Sequence, residues 1–170
     1  MNLLQRGTLR KTAQLHRALI RPAVVLLTGL LGLAAACSGH AATCSIELEA
    51  DDAMRFTPTH IDVPTSCANF TVKLTYSGRL PKLAMGHNWV LVKTADLDGV
   101  AKTAMAAGAQ QNYVDRSDTR VLAATSLIGT GESTSTTFAV NTLKAGIPYA
   151  FFCSFAGHSP IMQGTLSLVP

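Results

Sequence analysis

Three side chains able to hold a soft metal fall within ten residues of one segment, Phe151-Phe152-Cys153-Ser154-Phe155-Ala156-Gly157-His158-Ser159-Pro160-Ile161-Met162, just after a strand-like run. A compact loop there would bring a thiol, an imidazole and a thioether to one point. His87, 66 positions before Cys153 in Met85-Gly86-His87-Asn88, offers a second imidazole. Two His, one Cys and one Met make a trigonal set with a weak axial thioether, a combination suited to copper. Cys153 would bind as the thiolate, a soft charged ligand that mixes strongly with the metal, and His87 and His158 as neutral imidazoles. Met162, far out on the axis, would disfavour Cu(II) relative to Cu(I) without forcing either state into its own geometry. The chemistry implied is movement of one electron with little atomic rearrangement.

Each residue also has a plainer reading. Met is a common gap filler in cores, a Cys-x4-His pair alone is a weak signal, and a lone His87 at a strand end could be a satisfied core residue. Taken together, beside a cysteine with no other role, the ligand reading prevails. Zinc is the rival metal, since Cys and His also serve it, but zinc rarely recruits Met and structural zinc takes a fourth strong ligand.

The cysteine with no other role emerges once the leader is set aside. Arg6, Arg10, Lys11, Arg17 and Arg21 precede the apolar run Ala23–Ala36, the pattern of a signal peptide over residues 1–41. That run has 14 residues, broken by Thr28, Gly29 and Gly32, whereas crossing a bilayer takes about 20. Gly39-His40-Ala41 suits cleavage before Ala42; Leu33-Ala34-Ala35-Ala36-Cys37 faintly resembles a lipoprotein box, with the alternative of a lipid anchor on Cys37. The expected product, residues 42–170, is exported to the periplasm and keeps Cys44, Cys67 and Cys153. Cys44 and Cys67 flank a β-like stretch and are expected to form a disulfide, which leaves Cys153. The leader carries five of the 14 Lys and Arg and none of the ten acids, so the product has nine bases against ten acids. Basicity therefore gives no ground for nucleic-acid binding.

The elements that must position these residues are short strands. In Asn69–Tyr76, Phe70, Val72, Leu74 and Tyr76 share one face and Thr71, Lys73 and Thr75 the other. Similar segments are Thr43–Leu48, His60–Val63, Trp89–Val92, Arg120–Ala124, Ser133–Val140, Pro148–Cys153 and Gly164–Leu168, bounded by Gly, Pro, Asp and Ser. About eight such strands in one domain predict an all-β, two-sheet Greek-key sandwich or barrel. Asp96–Ala109 departs from alternation and predicts one short helical flap, with acids leading in, Ala-rich content and Gly108 as its stop.

Cys153-Ser154-Phe155-Ala156-Gly157-His158 followed by Met162, the Met85-Gly86-His87-Asn88-Trp89 segment and the Leu127-Ile128-Gly129-Thr130-Gly131-Glu132 turn resemble the azurins, blue-copper proteins of the cupredoxin family. The likeness covers essentially all of 42–170, including the early cysteine pair and the flap. It implies one copper ion per chain on His87, Cys153, His158 and Met162, with the Gly86 carbonyl as a fifth, weak contact. It implies that backbone amides of Asn88 and Phe155 hydrogen-bond the Cys153 sulfur, that the Asn88 side chain ties the ligand loops together, and that Trp89 lies in the core. Met54, Met85, Met105, Phe155 and Gly157 would form an apolar docking face around the His158 ring. The partners implied are periplasmic redox proteins such as c-type cytochromes, dehydrogenases or reductases, met transiently by a monomer or weakly self-associating chain.

Two departures from that family matter. Where azurins often carry a buried titrating His followed by Pro, this chain has Tyr76-Ser77-Gly78, and Ala124 replaces a surface His found in some. His60, the remaining histidine of 42–170, is expected on an exposed strand. With so few histidines no second, all-histidine copper centre can be built, so a carrier and not an enzyme is expected. The alternative is copper buffering or delivery, which would favour open, exchangeable ligands; a ligand-binding surface module is a third.

Overall fold

The computed structural model describes residues 43–170. The expected leader and the Cys37 anchor lie outside the described residues. Nine strands are found among the described residues: β1 (Ser45–Ala50), β2 (Phe56–Thr57), β3 (His60–Pro64), β4 (Asn69–Tyr76), β5 (Val90–Lys93), β6 (Ala123–Ala124), β7 (Ser133–Ala139), β8 (Tyr149–Phe152) and β9 (Gln163–Val169). One sheet has the order β2-β1-β4-β7 and the other β3-β9-β8-β5-β6. Pairs β1–β4 and β3–β9 are parallel and the other pairs antiparallel. This is the two-sheet, all-β sandwich expected from the alternation.

β4 shows the alternation at work. Phe70, Val72, Leu74 and Tyr76 are buried and the residues between them are not. Between the sheets Trp89, fully buried, lies 6.3 Å from the Phe138 ring and 5.7 Å from that of Phe151, and Phe56 meets Phe151 edge-on at 5.4 Å. β5 and β8 are buried on both faces, because α2 (Leu97–Ala107) covers their outer side with Leu97 and Val100. The continuous apolar run Tyr149-Ala150-Phe151-Phe152 is the sequence trace of that double burial. Cys153 follows it directly.

Several boundaries differ from those expected. β1 runs from Ser45 to Ala50, two residues later than anticipated, in register with Thr71–Tyr76. Of Arg120–Ala124, Ala123 and Ala124 form β6, because Asp118 draws the chain into a local turn: its carboxylate accepts the Arg120 N–H and its carbonyl the Val121 N–H. β2 and the one-turn helix α1 (Lys82–Met85) are too short to leave a periodic signal. Trp89 stands just outside β5, held by Thr125, whose hydroxyl accepts the Trp89 N–H at 2.9 Å and whose N–H donates to the Trp89 carbonyl at 3.0 Å.

Cys44 and Cys67 are disulfide-bonded across 23 positions, as expected. The bridge sits where β1 begins; at its other end β1 pairs with Tyr76, whose ring lies 5.0 Å from that of His87. Replacing both cysteines by Ser is expected to lower the unfolding free energy by about 3 kcal/mol, the loop-closure value for a cross-link of this span. A urea titration reads this as a lower midpoint; an unchanged midpoint would contradict it.

Candidate metal centre

His87 lies between α1 and β5, yet its backbone is fixed. Its N–H donates to the Ile128 carbonyl at 2.9 Å and its carbonyl accepts the Ile128 N–H at 2.8 Å, an isolated antiparallel bridge. Gly86 leads in, tightly enclosed. A Cβ there would lie 2.6 Å from the Lys82 carbonyl oxygen and 2.9 Å from the Leu127 side chain, so the close approach requires glycine.

The other donors come from the loop after β8. The Cys153 N–H donates to the Met162 carbonyl at 3.0 Å, the Met162 N–H to the His158 carbonyl at 2.9 Å, and the His158 N–H to the Phe155 carbonyl at 3.0 Å. The loop therefore closes on itself, with Cys153 and Met162 at its mouth. Asn88 ties it to the His87 segment: its Oδ1 accepts the Ser154 N–H at 2.9 Å, and its Nδ2 donates to Ser154 Oγ and the Asn112 carbonyl, both at 2.8 Å. Ser154 Oγ in turn donates to the Tyr113 carbonyl at 2.5 Å.

These constraints bring Cys153 Sγ to 3.5 Å from His158 Nδ1 and 3.8 Å from His87 Nδ1, with the three donor atoms all within 4.8 Å of one another. Such separations are what pairs of metal–ligand bonds of roughly 2.0–2.3 Å subtend at an open angle. The donors thus face one ion-sized point. Gly86 O lies 3.9 Å from the Cys153 sulfur. His87, Cys153 and Met162 are fully buried and His158 is 4% exposed.

Of the residues expected to shape a docking face, Met105 and Gly157 are exposed, Met54 and Met85 are half-buried, and Phe155 is buried, its ring 4.7 Å from that of His158. His60 is exposed, as expected, bonded to Thr165 and Asp62. Reading the sequence missed Ser154, Asn112 and Tyr113 as supports of the site. The available signal was Asn112: Asn tolerates the left-handed backbone that it and Tyr113 adopt, with φ of 56° and 52°.

Burial sets the protonation of the metal-free donors. Desolvation pushes the Cys153 thiol up to about 12, against the opposing pull of backbone hydrogen bonds from Asn88 and Phe155. Desolvation, helped by the neighbouring His158, brings His87 down from 6.5 to about 4, and His158 is also lowered by burial. At neutral pH the site is a thiol and two neutral imidazoles, and metal uptake must displace the thiol proton. Because His87 binds its proton less readily folded than unfolded, the metal-free protein should lose stability as pH falls from 6.5 towards 4. The loss from His87 is about 3 kcal/mol, with His158 acting in the same direction. Urea midpoints across that range should fall for the parent and fall less for His87→Gln; parallel curves would contradict the assignment.

Residues 42–169 match the profile of the copper binding proteins of the plastocyanin/azurin family. The chain is 54% identical over 127 residues to azurin of Pseudomonas denitrificans, covering 75% of this chain and 99% of that one. It is 52% identical over 129 residues to azurin of Bordetella pertussis, covering 76% and 86% respectively. A solved structure of the azurin Az-iso2 from the obligate methylotroph Methylomonas sp. strain J superposes with a TM-score of 0.73 at 46% identity, covering 76% of this chain and all of that one. The soft, buried donors of His87, Cys153 and His158 fit copper, the metal for which that family is described. The chain belongs to the plastocyanin/azurin family of copper-binding proteins.

Proposed function

We propose that this chain carries single electrons between redox proteins of the periplasm, and that His87, Cys153 and His158 would hold one copper ion, with Met162 and the Gly86 carbonyl as weaker ligands. When bound, the copper ion alternates between Cu(II) and Cu(I), accepting and releasing one electron. The observation that carries the reading is the convergence of two imidazoles and a thiol in a site fixed by hydrogen bonds among its own residues. A rigid donor set resists the rearrangement that each oxidation state would otherwise demand, which keeps electron exchange fast. The Asn88 and Phe155 amides, directed at the sulfur, stabilise its negative charge and raise the reduction potential. Burial of all the donors disfavours the alternative of a copper-delivery site, which needs exchangeable ligands.

Docking is proposed at the apolar surface offered by Met54, Met85, Met105 and Gly157, with Phe155 beneath it and the His158 edge as the point of electron entry. Soft methionine contacts suit transient partners such as c-type cytochromes, dehydrogenases or reductases. Export rests on the basic and apolar leader, and the family match begins at residue 42. The intact mass of the exported protein distinguishes cleavage before Ala42 from acylation at Cys37.

The copper-loaded protein is expected to show an intense red-absorbing band that Cys153→Ser abolishes; a colourless parent protein overturns the reading. The reduction potential should change little between about pH 5 and 8, the range where histidine switches act. Tyr76 beside His87 keeps its proton there, because burial and its bond to Asp52 push it up to about 12. Voltammetry showing a sigmoid in the imidazole range, about 6 to 7, would contradict this.

A further inference from the structure

The edge of a β-sheet leaves a row of backbone N–H and C=O groups that can pair with another chain, unless the edge is short, charged or interrupted. The two sheets end on β2 and β7 and on β3 and β6. β2 and β6 have two residues each. β3 carries Asp62 on its exposed face and ends on Pro64. β7 has none of these guards. It is seven residues long, reads Ser-Thr-Ser-Thr-Thr-Phe-Ala, and pairs with β4 without a bulge from Ser133 to Ala139.

The ladder on its inner side fixes which groups of β7 point away. The Thr71 N–H donates to the Cys44 carbonyl, towards β1, and the Val140 N–H donates to the Ala68 carbonyl, just beyond the β4–β7 ladder, both at 3.0 Å. Bonding alternates along a strand, so Thr134, Thr136 and Phe138 bond β4, while Ser133, Ser135 and Thr137 turn their N–H and C=O groups outward. Among the described residues nothing bonds to those outward groups. All three residues are exposed. β6 lies beside β7, but an open groove of about 300 Å³ lined by Val121, Leu122, Thr136 and Thr137 separates them, so the edge is uncovered.

We infer that two copies of this chain pair through β7, antiparallel about a two-fold axis at Ser135, joining their four-stranded sheets into one. That axis sets Ser135 against the partner's Ser135, and Ser133 against the partner's Thr137. Every outward group then meets its complement in about six hydrogen bonds, two for each bonded pair. Between them Thr134 faces the partner's Thr136, a hydroxyl pair that adds to the pairing. The charges also suit a second copy. Residues 42–170 carry nine bases against ten acids, so two copies approach with little net repulsion. Lys73, opposite Ser135 on β4, is paired with Glu47 at 2.8 Å. Ser133 marks the metal end of β7, since it pairs with Thr75, next to the Tyr76 ring that packs on His87. Opposed strands therefore send the two metal ends apart and leave both clear of the interface.

Sedimentation equilibrium of the exported protein up to about 1 mM, a range that reveals small and weak interfaces, should show a monomer–dimer equilibrium. Ser135→Pro removes an N–H that bonds nothing within the sheet, so it should abolish the dimer and leave the circular dichroism spectrum unchanged. Ser135→Lys and Ser135→Glu should each weaken the dimer by about fivefold, because like charges then oppose one another at the axis. An equimolar mixture of those two variants should recover the parent's affinity or exceed it. Met105→Lys, on the proposed docking face, should leave the dimer intact. A parent that stays monomeric overturns the inference and leaves β7 to an extended segment of another protein. A dimer that persists in Ser135→Pro, or that Met105→Lys abolishes, overturns it by placing the contact elsewhere. Should Ser135→Pro fail to fold, the charged variants decide: a mixture that pairs no better than either alone overturns the two-fold register.

Discussion

The hydrogen bonds of the Asn88 side chain are the constraint on which the rest of the site depends. They join residues 66 positions apart in sequence, just beyond the end of the β5–β8 ladder that already runs the two donor-bearing segments side by side. Asn88 is fully buried, and its carbonyl oxygen and amide nitrogen both find partners, so replacing it with an apolar residue would strand the Ser154 amide and the Asn112 carbonyl. Buried groups left without a partner cost about 1–3 kcal/mol each. The network thus favours one relative placement of His87 and Cys153.

The sandwich supplies the stiffness behind this network. β5 and β8, which lead into and out of the site, are packed between the aromatic cluster around Trp89 on one side and α2 on the other. Closely packed interiors resist displacement because any shift opens voids or creates overlaps. Segments attached to such strands inherit their rigidity. A donor on a freely mobile loop would not.

Much of this was legible in the sequence because it rests on strong local signals. Alternation in Asn69–Tyr76 marks a half-buried strand, and the apolar Tyr149–Phe152 run marks a strand covered on both faces. The spacing of Cys153, His158 and Met162 allows a closed loop. What was not legible depends on contacts between distant segments. Nothing near Ser154 announces that its hydroxyl meets the Tyr113 carbonyl, and nothing near Asp52 announces a phenol from β4. Arg120–Ala124 misled because its strand-like composition is overridden by the Asp118 turn beside it.

The sealed, protonated Cys153 thiol also orders events in the life of the chain. Thiolates, and not thiols, attack disulfides and yield to oxidants. A folded chain that has not yet met its metal therefore keeps its one free sulfur among the described residues out of reach of mispairing and overoxidation. The unfolded chain has no such shelter. Folding protects the nucleophile, and loading can wait until an ion arrives.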